Sequence, residues 1–501
     1  MNIRYTADPD TAVSVSIPPS TCPPSSSRED DSPPPPIKVR ASVFFDGTGN
    51  NMFNTHRRTS GGERFAWMDS FNGSFMNDYS NVAKLANYLI TESAEDDYHF
   101  SVYVEGIGTL YGDGDDINGS GRGAGERGIT TRVLRAMDRI ASAIPSLDVN
   151  NSRSITKFNI DTFGFSRGAA CSRHFGYRIF QYYGRIDSES RPLIVRIRDN
   201  GFSLPEGATR IKFMGLFDTV SSFGSEGDHH NDVRELNLNF SDYLGQIDKI
   251  VHIAAAEEFR RNFRLTNCRS AGRIAQTIFL PGVHSDIGGG YTNNVNELNF
   301  KVFEIPHSIA ADGDGIWPIQ KSYIELMVEL IRKGNFRESE LVNGSLVMPF
   351  VRGERNLATE RTFPYIGSAV TANRTNISNR YARVALKIMA EKFTDASLRL
   401  DSTFEGHETL GVFLNEIFPI LNNNTHSADF WINATDRDCG FDIGRLRHDY
   451  IHTSSQYNDN YIIVGYAMRA QWYRNSSYVE LNEDTIGNGL GFKRKRMVNT
   501  G

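Results

Sequence analysis

Cysteine is scarce in this chain: four residues in 501, Cys22, Cys171, Cys268 and Cys439, stand far apart without a CxxC pair. That spacing excludes a zinc ribbon and gives no sign of a disulfide framework. Positive charge is not in excess either. Lys and Arg total 54 against 60 Asp and Glu, a formal net charge of −6, so the general basic footprint of a nucleic-acid binder is missing. No run approaches the roughly 18 apolar residues that cross a bilayer; the densest, "GVFLNEIFPIL" and "YIIVGYAM", are core-sized. The opening "MNIRYTADPDTAVSVSIPPS" has no basic segment followed by an apolar core, so a cleavable secretory signal is not expected. GxxxxGK[ST] is absent, and no GxGxxG opens a helix, which leaves a nucleotide reading weak. Hydrophobic residues at 39% are somewhat few but enough for a sizeable core.

Residues 1–38 are rich in Pro and Ser, with "PPSTCPPSSSREDDSPPPP" at the centre, and read as a disordered arm or linker. A folded core is expected over 39–299, beginning at "KVRASVFFDGTGNN". Mostly apolar strand candidates at Ala41–Phe45, His99–Val104, Thr156–Phe163, Arg210–Leu216 and Ala275–Leu280 each run into a Gly- or Asp-bearing turn. Between them Tyr79–Ile90, Ile129–Ile144 and Arg167–Tyr182 have helical spacing. This alternation predicts an α/β fold: a mostly parallel sheet flanked by helices, with ligands at the carboxyl ends of the strands. Residues 300–455, including helical patterns at 321–334 and 381–393, read as a more helical lid or substrate-facing insertion. Residues 456–501 read as a return to the core, with a late strand at 460–468, followed by a basic tail, "GFKRKRM".

Gly164-Phe165-Ser166-Arg167-Gly168 fits G-x-S-x-G at the junction of the strand "ITKFNIDTFGF" and the helix "RGAACSRHFGYRIF". A serine on such a turn is an exposed nucleophile whose strained backbone and close neighbours call for glycine on both sides. The competing reading is a glycine-bounded structural turn. A serine nucleophile needs a base, and the base an orienting acid. In the α/β-hydrolase order these follow as Ser, acid, His. Asp218 stands at the end of "RIKFMGLFD", and His284 follows "AQTIFLPGV", so Ser166, Asp218 and His284 arrive in that order at strand ends. Taken singly, Asp218 is a common turn or N-cap aspartate and His284 a loop histidine bonded to a carbonyl.

Other histidines compete. His174 lies eight positions along the same helix, about 12 Å at 1.5 Å per residue, too far to serve Ser166. His229 and His230 read as a solvated loop, and Asp286 as a carboxylate orienting either a different group or its own loop. His448 and His452 in "RHDYIHTSSQY" stay open as alternative bases. The glycine-rich "DGTGNN" offers Gly47, Thr48 and Gly49, with the amide of Arg167, as an oxyanion hole. Asp46 either binds a hydroxyl or fixes that turn. The Gly/Asp-rich stretch 105–128 lacks EF-hand spacing and reads as a long flexible loop. No cofactor or metal is expected.

Together, "VFFDGTGNN", "GIGT", "GFSRGAA", "GLFDTVSSFG" and "PGVHSDIGGGY" resemble the phospholipase catalytic domain of the first family of type VI secretion lipase effectors. The resemblance is close over about 40–300; "AAAEEFRRNF" and "HDYIHTSSQY" extend it more thinly. It implies an α/β-hydrolase fold, a triad falling on Ser166, Asp218 and His284, and hydrolysis of glycerophospholipid acyl esters. It also implies synthesis in the cytoplasm without a signal peptide and export by the type VI machine to a rival's periplasm or membrane. Partners would be a membrane phospholipid, a secretion spike or tube component and an immunity protein. Two other readings remain: an esterase or acyltransferase on small soluble esters, and a non-catalytic binding or adaptor protein on a hydrolase shell.

Overall fold

Strands rich in Val, Ile and Phe, apolar on both sides, form a sheet that must be covered on both faces. In the computed structural model this sheet has seven strands. They are β1 (Val13–Val15), β2 (Ile37–Phe45), β3 (Asp97–Val104), β4 (Ile155–Phe165), β5 (Thr209–Phe217), β6 (Ile250–Ala255) and, after the short β7 (Leu265–Thr266) outside it, β8 (Ala275–Leu280). The order is β1-β3-β2-β4-β5-β6-β8. All neighbours run parallel except β1, which pairs antiparallel with β3. The structure describes residues 13–15, 35–61, 73–93, 96–116, 123, 125–147, 154–181, 191–222, 232–260, 263–307, 330–342, 348–355, 362–394, 396–453, 457–458, 479–481, 492–494 and 498–499.

Helices α1 (Asn81–Tyr88), α2 (Ile129–Leu147) and α3 (Arg167–Phe180) follow β2, β3 and β4 in turn, as the alternation predicts. Ser80 starts α1, its hydroxyl accepting the Ala83 N–H at 3.0 Å. A five-residue helix, α4 (His284–Gly288), follows β8. The two-residue period of the strands sorts side chains between two cores. Val43, Phe45, Met214 and Leu216 pack with α2 and α3 on one face. Phe44, Phe163, Phe213 and Phe217 face the other way, toward α1 and the C-terminal helices α5 (Ala382–Thr394), α6 (Val412–Asn422), α7 (Ala428–Asn433) and α8 (Ile443–Asp449).

Three readings change here. The region 300–455 does not open with helices. Strands β9 (Val295–His307), β10 (Met348–Arg355) and β11 (Thr362–Ile377) pair antiparallel, and Tyr457–Asn458 adds to β9 in parallel. The helices that follow are not a lid or substrate-facing insertion but the second cover of the main sheet. The first half of the chain supplies two long helices to one face and, to the other, the short α1 with Met52 and Phe53 of a preceding helix (Met52–Gly61), and Leu386, Met389, Phe393, Trp431 and Leu446 fill much of the remainder. Within the expected arm 1–38, Val13–Val15 is an edge strand, and Ile37 and Lys38 already belong to β2. β6 (IVHIAA) went unread because a histidine interrupts its apolar run; His252 is fully buried there. Most of the 321–334 helix, the 460–468 strand, His229, His230 and Cys22 lie outside the described residues, as does most of the basic tail.

Trp431 pins the C-terminal layer to the sheet: it is fully buried, and its indole N–H donates to the Phe279 carbonyl at 2.8 Å. Trp431→Ala is expected to cost about 3–5 kcal/mol, read as a lower denaturant midpoint in circular dichroism, with sheet and helices still unfolding together.

Candidate functional site

β4 lies at the middle of the sheet, and its carboxyl end turns within one residue into α3. Ser166 occupies that turn with φ 59° and ψ −128°, a conformation costly to a residue with a Cβ and held only where surroundings enforce it. Two backbone bonds enforce it: Ser166 N–H donates to Phe217 O at 3.0 Å, and Val220 N–H to Ser166 O at 3.2 Å. The flanking glycines leave no room for substitution. A Cβ on Gly168 would stand 2.3 Å from Phe45 O, and one on Gly164 2.4 Å from Gly168 O. The first turn of α3 is thereby pressed onto the end of β2.

Phe165 points into a slot between Gly47 and Gly288, where its ring lies 1.9 Å from where a Cβ on Gly288 would be and 2.4 Å from one on Gly47. That ring packs on His284, centroids 4.6 Å apart. Phe263 closes edge-on from another side at 4.9 Å. His284 Nδ1–H donates to Asp218 Oδ2 at 2.6 Å, and Asp218 Oδ1 accepts the Ala255 amide at 3.0 Å. Asp218 itself takes a positive φ of 37° just past β5. Ser166, Asp218 and His284 are all buried. Burial lowers the His284 pKa from its ordinary 6.5; the hydrogen bond and charge of Asp218 oppose this without reversing it. His284 is therefore a neutral imidazole at neutral pH, its Nδ1 proton committed to Asp218 and Nε2 left as the basic nitrogen.

The loop after β2 lies against the same turn. Arg167 Nε donates to Thr48 Oγ1 at 2.8 Å, joining the start of α3 to that loop. Gly47 N–H donates to the Asp46 carboxylate at 2.8 Å and Gly49 N–H to Ile107 O, in the loop after β3, at 3.1 Å, so both amides are already spent. Asp46 fixes the turn, accepting the hydroxyls of Ser80 at 2.5 Å and Tyr103 at 2.6 Å. Its pKa is pushed up to about 6 by burial, against the pull of those three donors.

The rival histidines sit elsewhere. His174 Nδ1–H donates to Leu236 O at 2.7 Å, and burial pushes its pKa down to about 4. His448 lies between Glu340 and Asp449, at 2.8 and 2.7 Å. His452 Nδ1–H donates to Asp286 Oδ1 at 2.7 Å and its ring stacks on Tyr291 at 4.0 Å. Sequence reasoning missed Phe165, Glu257, Glu258 and Arg260. The adjacent glutamates directly after an apolar run, in "IAAAEEFRR", were the available signal. Glu258 is fully buried, accepts the His284 backbone N–H at 3.2 Å and is paired twice by Arg260 at 2.9 Å. Among the described residues no group of His, Cys, Asp or Glu is placed to hold a metal ion, and no helix is long and apolar enough to cross a membrane.

Ser166 thus sits on a strained strand-to-helix turn, and the His284 held by Asp218 packs on the Phe165 that precedes it; the sheet around them is α/β-hydrolase-like. Residues 196–308 match the family model described as "T6SS, Phospholipase effector Tle1-like, catalytic domain". Among solved structures, the chain is similar to a Tle1 effector bound to the VgrG spike of the type 6 secretion system: 20% identity, TM-score 0.57, over 85% of this chain and 86% of that one. An uncharacterized protein from Pseudomonas aeruginosa aligns at 14% identity and TM-score 0.41, over 79% of this chain and 52% of that one. No curated protein matches the sequence. The matched domain and the shared fold support the resemblance to the type VI secretion lipase effectors.

If neutral His284 is the group that activates Ser166, the rate of Ser166 labelling by a fluorophosphonate is expected to hold from neutral pH down to 6.5. It should fall only below 6.5, as His284 takes up a proton at its lowered pKa; a midpoint above 6.5 would contradict the assignment.

Proposed function

We propose that this chain is a serine-dependent phospholipase, an effector that a type VI machine exports to attack acyl esters of glycerophospholipids in a rival bacterium's membrane. The observation that carries the reading is the His284–Asp218 hydrogen bond of 2.6 Å packed on Phe165, the residue preceding Ser166. The Tle1-like phospholipase match over 196–308 supports the substrate class. The fold shared with the spike-bound Tle1 effector supports a spike component as partner. An immunity protein in the producing cell follows from the same reading.

In the proposed mechanism His284 Nε2 removes the proton from Ser166 Oγ as the oxygen attacks the ester carbonyl. The carbonyl oxygen, now negative, is received by the backbone N–H of Arg167 at the positive end of α3 and that of Thr48, the two residues joined through Arg167 Nε. Collapse of the tetrahedral adduct breaks the ester bond, and the leaving lysophospholipid oxygen takes the proton back from His284. Water, deprotonated by His284, then attacks the acyl-serine; as this second adduct collapses, Ser166 Oγ leaves and takes the proton back from His284, releasing the fatty acid. Asp218 keeps the imidazole in one tautomer and stabilises the imidazolium formed at each step.

The test is fatty-acid release from phospholipid vesicles by wild type and Ser166→Ala, alongside a short-chain soluble ester. Ser166→Ala is expected to lose at least about 1,000-fold in kcat while still folding. Undiminished release by the variant would refute the serine mechanism, and turnover confined to the soluble ester would refute the membrane substrate.

A further inference from the structure

The loop that delivers His284 is held in an unusual way. Three successive backbone amides, those of Gly282, Val283 and His284, each donate to a different buried carboxylate. Gly282 N–H reaches Glu257 Oε2 at 3.1 Å, Val283 N–H reaches Asp286 Oδ2 at 3.0 Å, and His284 N–H reaches Glu258 Oε2 at 3.2 Å. Each carboxylate is in turn fixed from behind. Arg260 grips Glu258. Arg447 Nε donates to Glu257 Oε1 at 3.0 Å. His452 donates to Asp286 twice, through Nδ1 at 2.7 Å and its backbone N–H at 3.2 Å. Two of the three braces thus come from the end of α8 and the residues just after it, more than 160 positions from the loop they steady.

Resting on the serine-hydrolase reading above, we infer that Arg447 and His452 are positioning residues. Through Glu257 and Asp286 they set the backbone of 282–284, and with it the aim of the His284 ring at Ser166. A buried carboxylate carries two oxygens that must both be satisfied. Glu257 gives one oxygen to the loop and the other to Arg447, and Asp286 gives Oδ1 to the His452 ring while its Oδ2 takes both the Val283 and His452 backbone N–H groups, so the loop cannot shift without leaving a buried carboxylate short of a partner. Arg447 is itself buried and also donates to Trp431 O at 2.6 Å and Ala434 O at 3.2 Å, which ties the brace to the layer covering the sheet. Tyr291, stacked on His452, fixes the plane of that imidazole. Proton transfer between Ser166 and His284 is sensitive to small displacements, and misplacement by about 1 Å costs on the order of 100-fold. The C-terminal segment therefore sets the rate of chemistry without touching substrate.

Among the described residues, His452 Nε2 has no hydrogen-bond partner, so all of its side-chain polar contact runs through Nδ1. His452→Phe keeps a ring on Tyr291 but removes the donor to Asp286; His452→Asn keeps a donor near the Nδ1 position. Asp286→Asn probes the same contact from the other side, because an amide that keeps its oxygen on the Val283 and His452 backbone N–H groups turns an NH2 group, not an acceptor, toward His452 Nδ1. The experiment measures fluorophosphonate labelling of Ser166, kcat and KM on vesicles, and thermal midpoint, for wild type and all three variants. Expected for folded His452→Phe and Asp286→Asn is labelling and kcat slower by about 10- to 100-fold with KM within about twofold, and recovery of most of that loss in His452→Asn. A wild type that labels, with folded His452→Phe or Asp286→Asn labelling at the same rate whatever the thermal midpoint, overturns the inference. A wild type that does not label overturns the hydrolase reading itself, and this inference with it.

Discussion

The structure hangs on one backbone conformation, the positive φ of Ser166 where β4 becomes α3. Strain of this kind costs on the order of 1–3 kcal/mol, and here it is held by the two strongest constraints available, backbone pairing and absence of space. Phe217 and Val220 bind the serine's amide and carbonyl. Gly164 and Gly168 let the helix start press on the strand end and on the carbonyls of Phe45 and Asp46. Much of the site's layout follows from this turn. Phe165 is thrown into the slot between Gly47 and Gly288, the ring of His284 settles on it, and Arg167 meets Thr48. The sharp turn is thus also the means by which three distant loops are drawn to one place.

Around that turn the protein manages an unusual load of buried charge. Asp46, Asp218, Glu257, Glu258 and Asp286 are all buried within the loops at the carboxyl edge of the sheet. Burying a carboxylate is unfavourable unless its oxygens are occupied. Their oxygens accept from loop amides, hydroxyls and cationic side chains. The consequence is rigidity where loops are ordinarily loose. Burial pushes the Asp46 pKa up to about 6, and its three neutral donors only partly oppose that rise. Glu258, with Arg260 across it, has a full counter-charge. Charge pairing and neutral hydrogen bonding are two solutions to one desolvation problem, and the site uses the ion pairs on the His284 side and the neutral donors on the β2 side.

The C-terminal helices follow from the same economy of surfaces. A parallel sheet needs cover on both faces, and α2 and α3 supply one of them. Leu386, Met389, Trp431 and Leu446 supply much of the other, so the segment carrying Arg447 and His452 arrives beside the His284 loop as a by-product of completing the core. Packing and site geometry are coupled because the same helix end serves both.

The sequence alone determined the parallel α/β sheet, most of its strands, and the G-x-S-x-G turn with Asp218 and His284 following at later strand ends. These are legible because strand burial, helical period and glycine-bounded turns are local patterns. The tertiary structure decided what depends on residues far apart in the chain. It made β6 an interior strand despite His252, paired β9, β10 and β11 in an antiparallel sheet, and used the later helices as a layer of the core. It also withdrew His448 to Glu340 and Asp449, assigned His452 to Asp286, and committed the amide of Gly47 to Asp46 and that of Gly49 to Ile107 in the loop after β3. No local pattern encodes those choices. A histidine in "HDYIHTSSQY" looks the same whether it faces a serine or a carboxylate, and only the packing of α8 against the loop after β8 settles which one it meets.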